Sequence, residues 1–314
     1  MSKTLLWVGF NAFVLAAIAL DLGVFNRRLH KVSMREAGTW SVVWVLLSVV
    51  FGSGVWHYSG HQSGLEFFTG YLVEKSLSVD NLFLFLVIFK AFAVDERLQH
   101  RVLEWGIIGA LIMRGVMIWA GVELIERFHW ILYVFGAFLI YAGIHMLFAK
   151  KESMHPEQNA IFRFATRHLR VVRDHATEKF FVLKDRKLYA TPLFLVLLVV
   201  EITDVTLAVD SIPAVFGITR DPFIVYTSNV FAILGLRAMY FLLAGVLNRL
   251  RFLSVGLSFV LLFIGAKMIG ERWVDLPDYL SLLIVAGILS LALVASLVFP
   301  GRERHANGAV GKAG

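Results

Sequence analysis

The chain has 314 residues, of which 58% are hydrophobic and 17% charged, and its mean hydropathy is +0.74. This composition is typical of a polytopic membrane protein rather than of a soluble domain. A net charge of +7 would indicate nucleic-acid binding in a soluble chain, but here the basic residues follow a topological pattern. The 314 residues include no cysteine, which excludes disulfides, thiolate metal sites and cysteine nucleophiles within this sequence.

Nine apolar runs approach the length of roughly 20 residues that a helix needs to cross a bilayer. In chain order they cover residues 5–25, 40–57, 65–92, 104–124, 130–149, 191–216, 222–247, 251–270 and 279–299. The sequence therefore predicts an all-α fold, a polytopic transmembrane helical bundle of about nine spans. A basic cluster follows the first run instead of preceding it, which favours a retained helix over a signal peptide.

The Lys and Arg residues alternate between the two sides of this predicted bundle. Of the 30 basic residues, 22 fall in loops on one side, four on the other side and four within spans. Because short cytoplasmic loops collect Lys and Arg, the count places the N-terminus outside and the C-terminus in the cytoplasm. Topology thus accounts for the positive charge, and we expect the lipid bilayer, not nucleic acid, as a partner.

Six segments follow from these runs. They are the first two transmembrane helices (1–64), a three-helix unit (65–149), a basic cytoplasmic loop (150–190), a second three-helix unit (191–270), the last transmembrane helix (271–299) and a disordered tail (300–314). Apolar residues interleaved with the basic residues of the loop favour an amphipathic helix on the inner membrane face. The stretch FFVLKDRKLYATP at its end favours a short hairpin.

An internal repeat relates the two three-helix units. EKSLSVDNL at residues 74–82 matches DVTLAVDSI at residues 204–212 without a gap. Two shorter matches follow in the same order, one of GALIMRGVM with AILGLRAMY and one of FLIYAGIHM with VLLFIGAKM. Three helices are an odd number, so the second copy enters the membrane from the opposite side. The sequence therefore predicts a 3+3 inverted-topology repeat, with a substrate site near the midplane where the copies meet.

Four acids lie inside the matching segments, namely Glu74, Asp80, Asp204 and Asp210. At the centre of a transmembrane helix each would cost about 2.5–3.5 kcal/mol, so such groups must face protein, water or a cation. At 100° per residue, Glu74 shares a face of the third helix with two polar residues, and Asp204 shares a face of the sixth helix with Ser211. Two facing helices could thus bring carboxylate, amide and hydroxyl oxygens together.

The candidate metal ligands are Glu74, Asp80, Asn81, Asp204, Asp210 and Ser211, with Glu201, Ser78 and Thr206 as secondary candidates. Pro213 cannot donate to the carbonyl of Val209, which predicts a weakened helix beside Asp210 and a free carbonyl as a further ligand. Oxygen ligands without sulfur suit hard divalent ions such as Mn²⁺, Mg²⁺ or Ca²⁺. Poorly hydrated carboxylates can also take up protons when the metal leaves, which gives a basis for metal–proton exchange.

A second interpretation is that the acids pair with buried cations and only fix helix packing. The candidate charge partners are Lys75, Arg114, Arg237 and Lys267. For Arg114 and Arg237 we favour this structural pairing, whereas for Asp80 and Asp210 we favour the ligand role, because both copies keep an Asp followed by a hydrogen-bonding residue. His145, at the position of Lys267 in the repeat, is read as a packing residue.

Three classes of function fit these features. The leading hypothesis is a secondary transporter for a divalent cation, with no resident cofactor. An intramembrane aspartyl enzyme would carry a GxGD signature, and the dipeptide GD is absent from the sequence, so we expect no enzyme activity. A membrane sensor or scaffold that binds a metal without moving it stays open, as does the oligomeric state.

The runs GYLVEKSLSVDNLF and VEITDVTLAVDSIPAVFGITRDPFIVYTSNVFAILGLRAMYFLLAGV closely resemble the TerC family of membrane proteins, in particular its Alx-type members. The resemblance implies a manganese exporter in the bacterial cytoplasmic membrane, with all six primary candidate ligands at the family's acidic motif positions. The family is associated with tellurium resistance and its Alx-type members with alkaline-induced expression. The alternative is therefore a metal or pH sensor in tellurium or alkaline-stress resistance that performs no transport.

Overall fold

The computed structural model describes residues 3–25, 33–148, 179–184, 187–244, 252–271, 273 and 276–299. For Lys3, residues 21–25, Asp80 and Lys184 it describes the backbone alone. The amphipathic helix predicted in the basic loop and the predicted disordered tail lie outside these residues. The two predictions therefore stay untested.

Ten helices and one hairpin make up the described part of the chain. The elements are α1 (Lys3–Phe25), α2 (Met34–Ser59), α3 (His61–Ala91), α4 (Glu96–Arg127), α5 (Ile131–Phe148), β1 (Phe181–Lys184), β2 (Lys187–Ala190), α6 (Pro192–Phe216), α7 (Pro222–Ile233), α8 (Leu236–Ala244), α9 (Leu253–Gly270) and α10 (Asp278–Val298). The strands pair antiparallel, from Phe181 opposite Ala190 to Lys184 opposite Lys187, which confirms the predicted hairpin.

Helices occupy all nine predicted runs, and the seventh run is divided between α7 and α8. Within the described residues, six helices are long and apolar enough to cross a membrane, or seven if α7 and α8 are one span bent by 42°. The apolar part of α1 is shorter, covering Thr4–Leu20, and α3 carries several charged residues. The all-α polytopic class is confirmed, and the count of nine spans stays a prediction.

Short polar residues fix where three of these helices begin. The carboxylate of Asp95 accepts a hydrogen bond from the Arg97 N–H at the start of α4, and Asp221 accepts from the Phe223 N–H at the start of α7. Thr191 caps α6 through the Phe194 N–H. Such caps satisfy N–H groups that a helix leaves without internal partners, so each buried helix starts at a defined residue.

Glycines bring α5 and α9 into close antiparallel contact. A Cβ atom on Gly136 would lie 3.0 Å from the Gly265 carbonyl oxygen, and one on Gly143 would lie 2.9 Å from the Ser258 carbonyl oxygen. The segments FLIYAGIHM and VLLFIGAKM begin at residues 138 and 260, so the match makes Gly136 equivalent to Ser258 and Gly143 to Gly265. If each residue is replaced by its equivalent in the other unit, the Gly136–Gly265 contact becomes the Gly143–Ser258 contact, and the reverse also holds. This packing supports the inverted repeat, which stays a prediction.

The α6 helix runs without interruption through Pro213, so the weakened helix expected beside Asp210 is not observed. Proline removes one hydrogen bond from a helix, but the flanking residues 211–216 are all buried and packing holds the backbone in place. The irregular backbone lies elsewhere, between α7 and α8. There Gly235 has a φ of +81°, and a Cβ atom at this position would lie 2.6 Å from Trp44 Cδ1.

Candidate metal site at the Arg114 cluster

A buried guanidinium joins side chains from four helices. Arg114, on α4, is 2% exposed. Its Nε and Nη2 atoms donate to the Asp204 carboxylate at 3.4 and 3.2 Å, and its Nη1 donates to the Glu74 carboxylate and, at 3.2 Å, to Asn229 Oδ1. We call these four residues the Arg114 cluster. It brings together the predicted ligands Glu74 on α3 and Asp204 on α6, together with Asn229 on α7.

The charges of the Arg114 cluster do not cancel. With all groups ionised, the carboxylates of Glu74 and Asp204 outnumber the guanidinium of Arg114 by one. Charges removed from water are costly unless they are paired, so an extra buried carboxylate favours the presence of a further cation. The pairing of Arg114 with both acids agrees with the structural role favoured for it from sequence, and it does not exclude that the acids also bind metal.

Glu201 places a third carboxylate beside the cluster. It lies on α6 close enough to Asp204 for their charges to repel. Its carboxylate also lies directly over Gly109 on α4, where no room remains for a Cβ atom. The absence of a side chain at Gly109 therefore allows Glu201 to approach the α4 backbone. This secondary candidate thus belongs to the same region as the primary ones.

Several buried polar atoms of three predicted ligands and of Asn229 have no hydrogen-bond partner. Within the described ranges, Glu74 Oε2, Ser78 Oγ, Ser211 Oγ and Asn229 Nδ2 are buried without a hydrogen bond. Such a group costs about 1–3 kcal/mol, and most buried polar atoms in proteins are paired. Glu74 and Ser78 lie one turn apart on α3, and α3 packs against α6, which carries Ser211. Glu74 Oε2 and Ser78 Oγ are therefore two unsatisfied oxygens suited to a hard cation on one face of α3, and Ser211, two turns beyond Asp204 on α6, carries a third at a different level of the bundle.

The remaining candidate ligands lie in different surroundings. Asn81 is buried on the face of α3 that carries Glu74, as its spacing predicts. Asp210 is half-buried and lies within electrostatic range of His145 on α5. Thr206 is exposed and donates to the Ile202 carbonyl of its own helix at 2.8 Å, so it lies away from the buried face. The Asp80 side chain is outside the described part of the structure.

The other three candidate charge partners lie apart from the cluster. Arg237 pairs with Glu104 at 2.8 Å, and Lys267 pairs with Asp278 at 3.4 Å. Both are structural pairs of the kind favoured for Arg237. Lys75 instead donates to two backbone carbonyls between α7 and α8.

Sequence reasoning missed two buried polar residues, Asn229 of the Arg114 cluster and Glu104, the structural partner of Arg237. Asn229 ends the run Thr-Ser-Asn, which is wholly buried within the seventh predicted span. That run of polar residues inside an apolar segment was the signal available for it. Glu104 stands at the first residue of the fourth predicted span, where an interfacial acid is ordinary, so its burial carried no signal.

Cavities open at both ends of the bundle. One of 830 Å³ lies where α3 begins and α6 ends, and its walls carry four acids and two basic residues, namely Glu66, Asp221, Glu271, Asp278, Arg220 and Lys267. The other, of 480 Å³, lies where α3 ends and α4 begins. Gln99 in its wall accepts a hydrogen bond from Tyr240 at 2.7 Å. The Arg114 cluster belongs to neither wall.

No three His, Asp or Glu side chains of the described residues are close enough to hold a metal ion among themselves. The Arg114 cluster itself contains two acids, and its guanidinium contacts both of them. Asp80, whose side chain is not described, is not part of that comparison. The cluster has the ligand chemistry of a cation site, and the cation that its acids contact is the guanidinium of Arg114.

The apolar helices and the buried acidic cluster define a polytopic α-helical integral membrane protein. The chain belongs to the TerC family, described as "Integral membrane protein TerC family", whose sequence profile matches residues 59–304. No solved structure matches the chain.

Curated relatives extend over almost the whole chain. It is 50% identical over 301 residues to the "Uncharacterized membrane protein STKORF319" of Myxococcus xanthus, an alignment that covers 96% of this chain and 93% of the relative. It is 48% identical over 299 residues to the Escherichia coli K12 protein named "Putative membrane-bound redox modulator Alx", with 92% and 93% covered. A membrane protein of Rickettsia bellii is 37% identical over 292 residues, with 93% and 97% covered.

Proposed function

We propose that this chain is a secondary transporter that exports a hard divalent cation, with Mn²⁺ as the expected substrate, across the bacterial cytoplasmic membrane in exchange for protons. The observation that carries the proposal is the convergence of Glu74 and Asp204, acids at matching positions of the two three-helix units, on one buried guanidinium. A site shared by two repeated units is the usual arrangement in secondary transporters.

The ligand chemistry supports a cation as substrate. The cluster has one more carboxylate than guanidinium, and Glu201 adds a further acid beside Asp204. The free Oε2 of Glu74 and the unpaired hydroxyls of Ser78 and Ser211 are hard oxygen donors. Such donors suit Mn²⁺, Mg²⁺ or Ca²⁺, and the choice of Mn²⁺ rests on the TerC resemblance.

Arg114 has a defined role in this proposal. Its guanidinium balances one of the two negative charges when no substrate is bound, and an arriving divalent cation competes with it for Glu74 and Asp204. Displacement of Arg114 from one carboxylate would open a site lined by acid and hydroxyl oxygens. Protons that occupy the acids after release would restore the charge balance, which supplies the exchange.

Access from both sides is supported by the two cavities. In the orientation predicted by the Lys and Arg counts, the 830 Å³ cavity faces outside and the 480 Å³ cavity faces the cytoplasm. Four acids against two bases in the outer cavity give it a negative charge that attracts a leaving cation into solution-facing water. The cluster would be reached from each side in turn.

A redox role is named for the Escherichia coli relative. These 314 residues contain no cysteine, so they offer no thiol–disulfide chemistry of their own. A cation exporter would alter a cell's metal content, and with it redox state, without any such group. The transport proposal and the relative's name are therefore compatible.

Mn²⁺ flux through purified protein in liposomes tests the proposal. We expect transport by the wild type, and a loss of about tenfold or more with Glu74→Gln or Asp204→Asn, since one lost ligand interaction of about 1.4 kcal/mol already gives a factor of ten. Glu123→Gln is the matched control, because Glu123 pairs with Arg127 at the exposed end of α4. Mn²⁺ binding without flux in the wild type would instead favour the sensor.

A further inference from the structure

The ammonium of Lys75 lies against the end of a broken helix. Its Nζ donates to the carbonyl oxygens of Ala232 at 3.2 Å and of Leu234 at 3.4 Å, 157 and 159 residues away in the chain. These carbonyls belong to the junction of α7 and α8, where the helix axis bends by 42°. A charged side chain of α3 thus closes a gap in the seventh predicted span.

The carbonyls at this junction need an external donor. The last carbonyls of a helix have no intrahelical partner, and they carry the negative end of the helix dipole. Across the break, the Leu234 N–H donates to the Val230 carbonyl at 2.9 Å and the Met239 N–H donates to the Gly235 carbonyl at 3.0 Å. Ala232 and Leu234 turn their carbonyls to Lys75 instead.

The junction is enclosed by protein. Ala232 is 0% exposed and Leu234 3% exposed. Trp44 of α2, itself buried, packs directly against Gly235 on the other side of the break. Water has little access to these carbonyls, so a neighbouring cation stabilises them more than it would stabilise the carbonyls of a solvated helix end.

We propose that the α7–α8 junction is a monovalent cation site whose occupant is tethered, the Lys75 ammonium standing where Na⁺ or K⁺ would otherwise bind. In discontinuous membrane helices, monovalent cations are bound by backbone carbonyls of the unwound segment and of the half-helix C-terminus. Ala232 and Leu234 provide carbonyls of this kind. An ammonium ion and K⁺ are both single positive charges that accept carbonyl oxygens as neighbours. Removal of the side chain would therefore leave a vacant site for a free ion.

The junction also connects to the Arg114 cluster. Asn229, which accepts from Arg114, lies on α7 only three residues before Ala232. The junction and the Arg114 cluster are therefore about one helical turn apart on α7. The inference itself does not require transport, because occupancy of the junction can be measured as stability of the folded protein.

Thermal stability of purified Lys75→Ala in detergent tests this inference. We expect its melting temperature to lie about 5 °C or more below that of the wild type in choline chloride, and to recover saturably as NaCl, KCl or NH₄Cl replaces choline at constant ionic strength. The wild type should show no such recovery. Lys267→Ala is the matched control, since Lys267 pairs with the Asp278 carboxylate and leaves no carbonyl site behind.

Equal melting temperatures of Lys75→Ala in all four salts would overturn the inference, as would a variant as stable as the wild type in choline. If no folded variant is recovered in choline, purification is repeated entirely in KCl and in NH₄Cl. Folded protein obtained only with these ions supports the tethered-cation site, and failure in every salt overturns it. Because no flux is measured, these outcomes are separate from those of the Mn²⁺ experiment.

Discussion

Glu74 and Asp204, which occupy equivalent positions of the repeated segment, contact the same guanidinium from different edges. They are 130 positions apart in the sequence, and their backbones belong to different three-helix units. Arg114 therefore joins the two units through a pair of acids at equivalent positions. Its counterpart Arg237 has a different partner, Glu104, so the repeated arginines are not interchangeable.

Arg114→Met should destabilise the protein strongly. The substitution leaves the carboxylates of Glu74 and Asp204 buried without a cation, and breaking a buried ion pair from one side costs about 3–5 kcal/mol. Chemical unfolding in detergent measures the loss. Arg127→Met, which removes an exposed partner of Glu123, should cost less than about 1 kcal/mol. Similar losses for both variants would contradict the assignment of Arg114 as the central cation.

Gly109→Ala should reduce transport more than stability. The new methyl group would collide with the Glu201 carboxylate, the end of a flexible side chain, so Glu201 can turn away at little cost to folding. Its charge would then leave the vicinity of Asp204. Gly115→Ala is the control, since its Cβ atom would meet only Tyr226, at an ordinary 3.7 Å. Unchanged Mn²⁺ flux in Gly109→Ala would remove Glu201 from the site.

Gly235→Ala should destabilise the α7–α8 junction. A non-glycine residue at a φ of +81° costs about 1–3 kcal/mol, and the added Cβ atom would lie 2.6 Å from Trp44. The measurement is the free energy of unfolding beside that of Gly287→Ala, where no atom lies within 4 Å of the new methyl group. We expect the Gly287 variant to be neutral or slightly more stable, since alanine favours helix. A neutral Gly235→Ala would mean that the junction is not held in this conformation.

Glu104 and Arg237 should behave as a structural pair. Glu104→Leu or Arg237→Met alone removes one member of this buried ion pair, although Glu104 also lies 3.4 Å from His100 Nδ1, whereas the double substitution removes both members. We expect the double variant to be more stable than either single variant by about 1–3 kcal/mol, the size of coupling found between contacting residues. Mn²⁺ flux of the double variant should stay within about twofold of the wild type. Additive losses would show that the pair contributes nothing as a unit.

Periodicity identified the buried faces of the site correctly. Glu74, Ser78 and Asn81 on α3, and Asp204 and Ser211 on α6, are all buried, because residues three, four and seven apart share one side of a helix. Thr206, one turn before Asp210 and off that face, is exposed, and its role as a secondary ligand stays a prediction. Which residues share the buried side of one helix could therefore be predicted from the sequence.

Contacts between distant helices could not be read in this way. Arg114 is 40 residues from Glu74 and 90 from Asp204, and no local pattern specifies that one guanidinium reaches both. The irregular backbone was placed at Pro213, whose missing hydrogen bond is visible in the sequence, whereas the chain breaks beside Gly235. A glycine fits either a continuous helix or a bend. Here two long-range interactions stabilise the bend, the packing of Trp44 against Gly235 and the hydrogen bonds from the Lys75 ammonium to the junction carbonyls.

Only Gly60, with a φ of +100°, separates α2 from α3. So short a connection holds the end of α2 beside the start of α3, and the helices pack closely there, since a Cβ atom on Gly64 would lie 2.9 Å from Trp56 Cα. On this helix pair, α2 carries Trp44, which contacts Gly235, and α3 carries Glu74, which contacts Arg114. The wall of the α7–α8 junction and the acid of the Arg114 cluster therefore belong to the same helical hairpin.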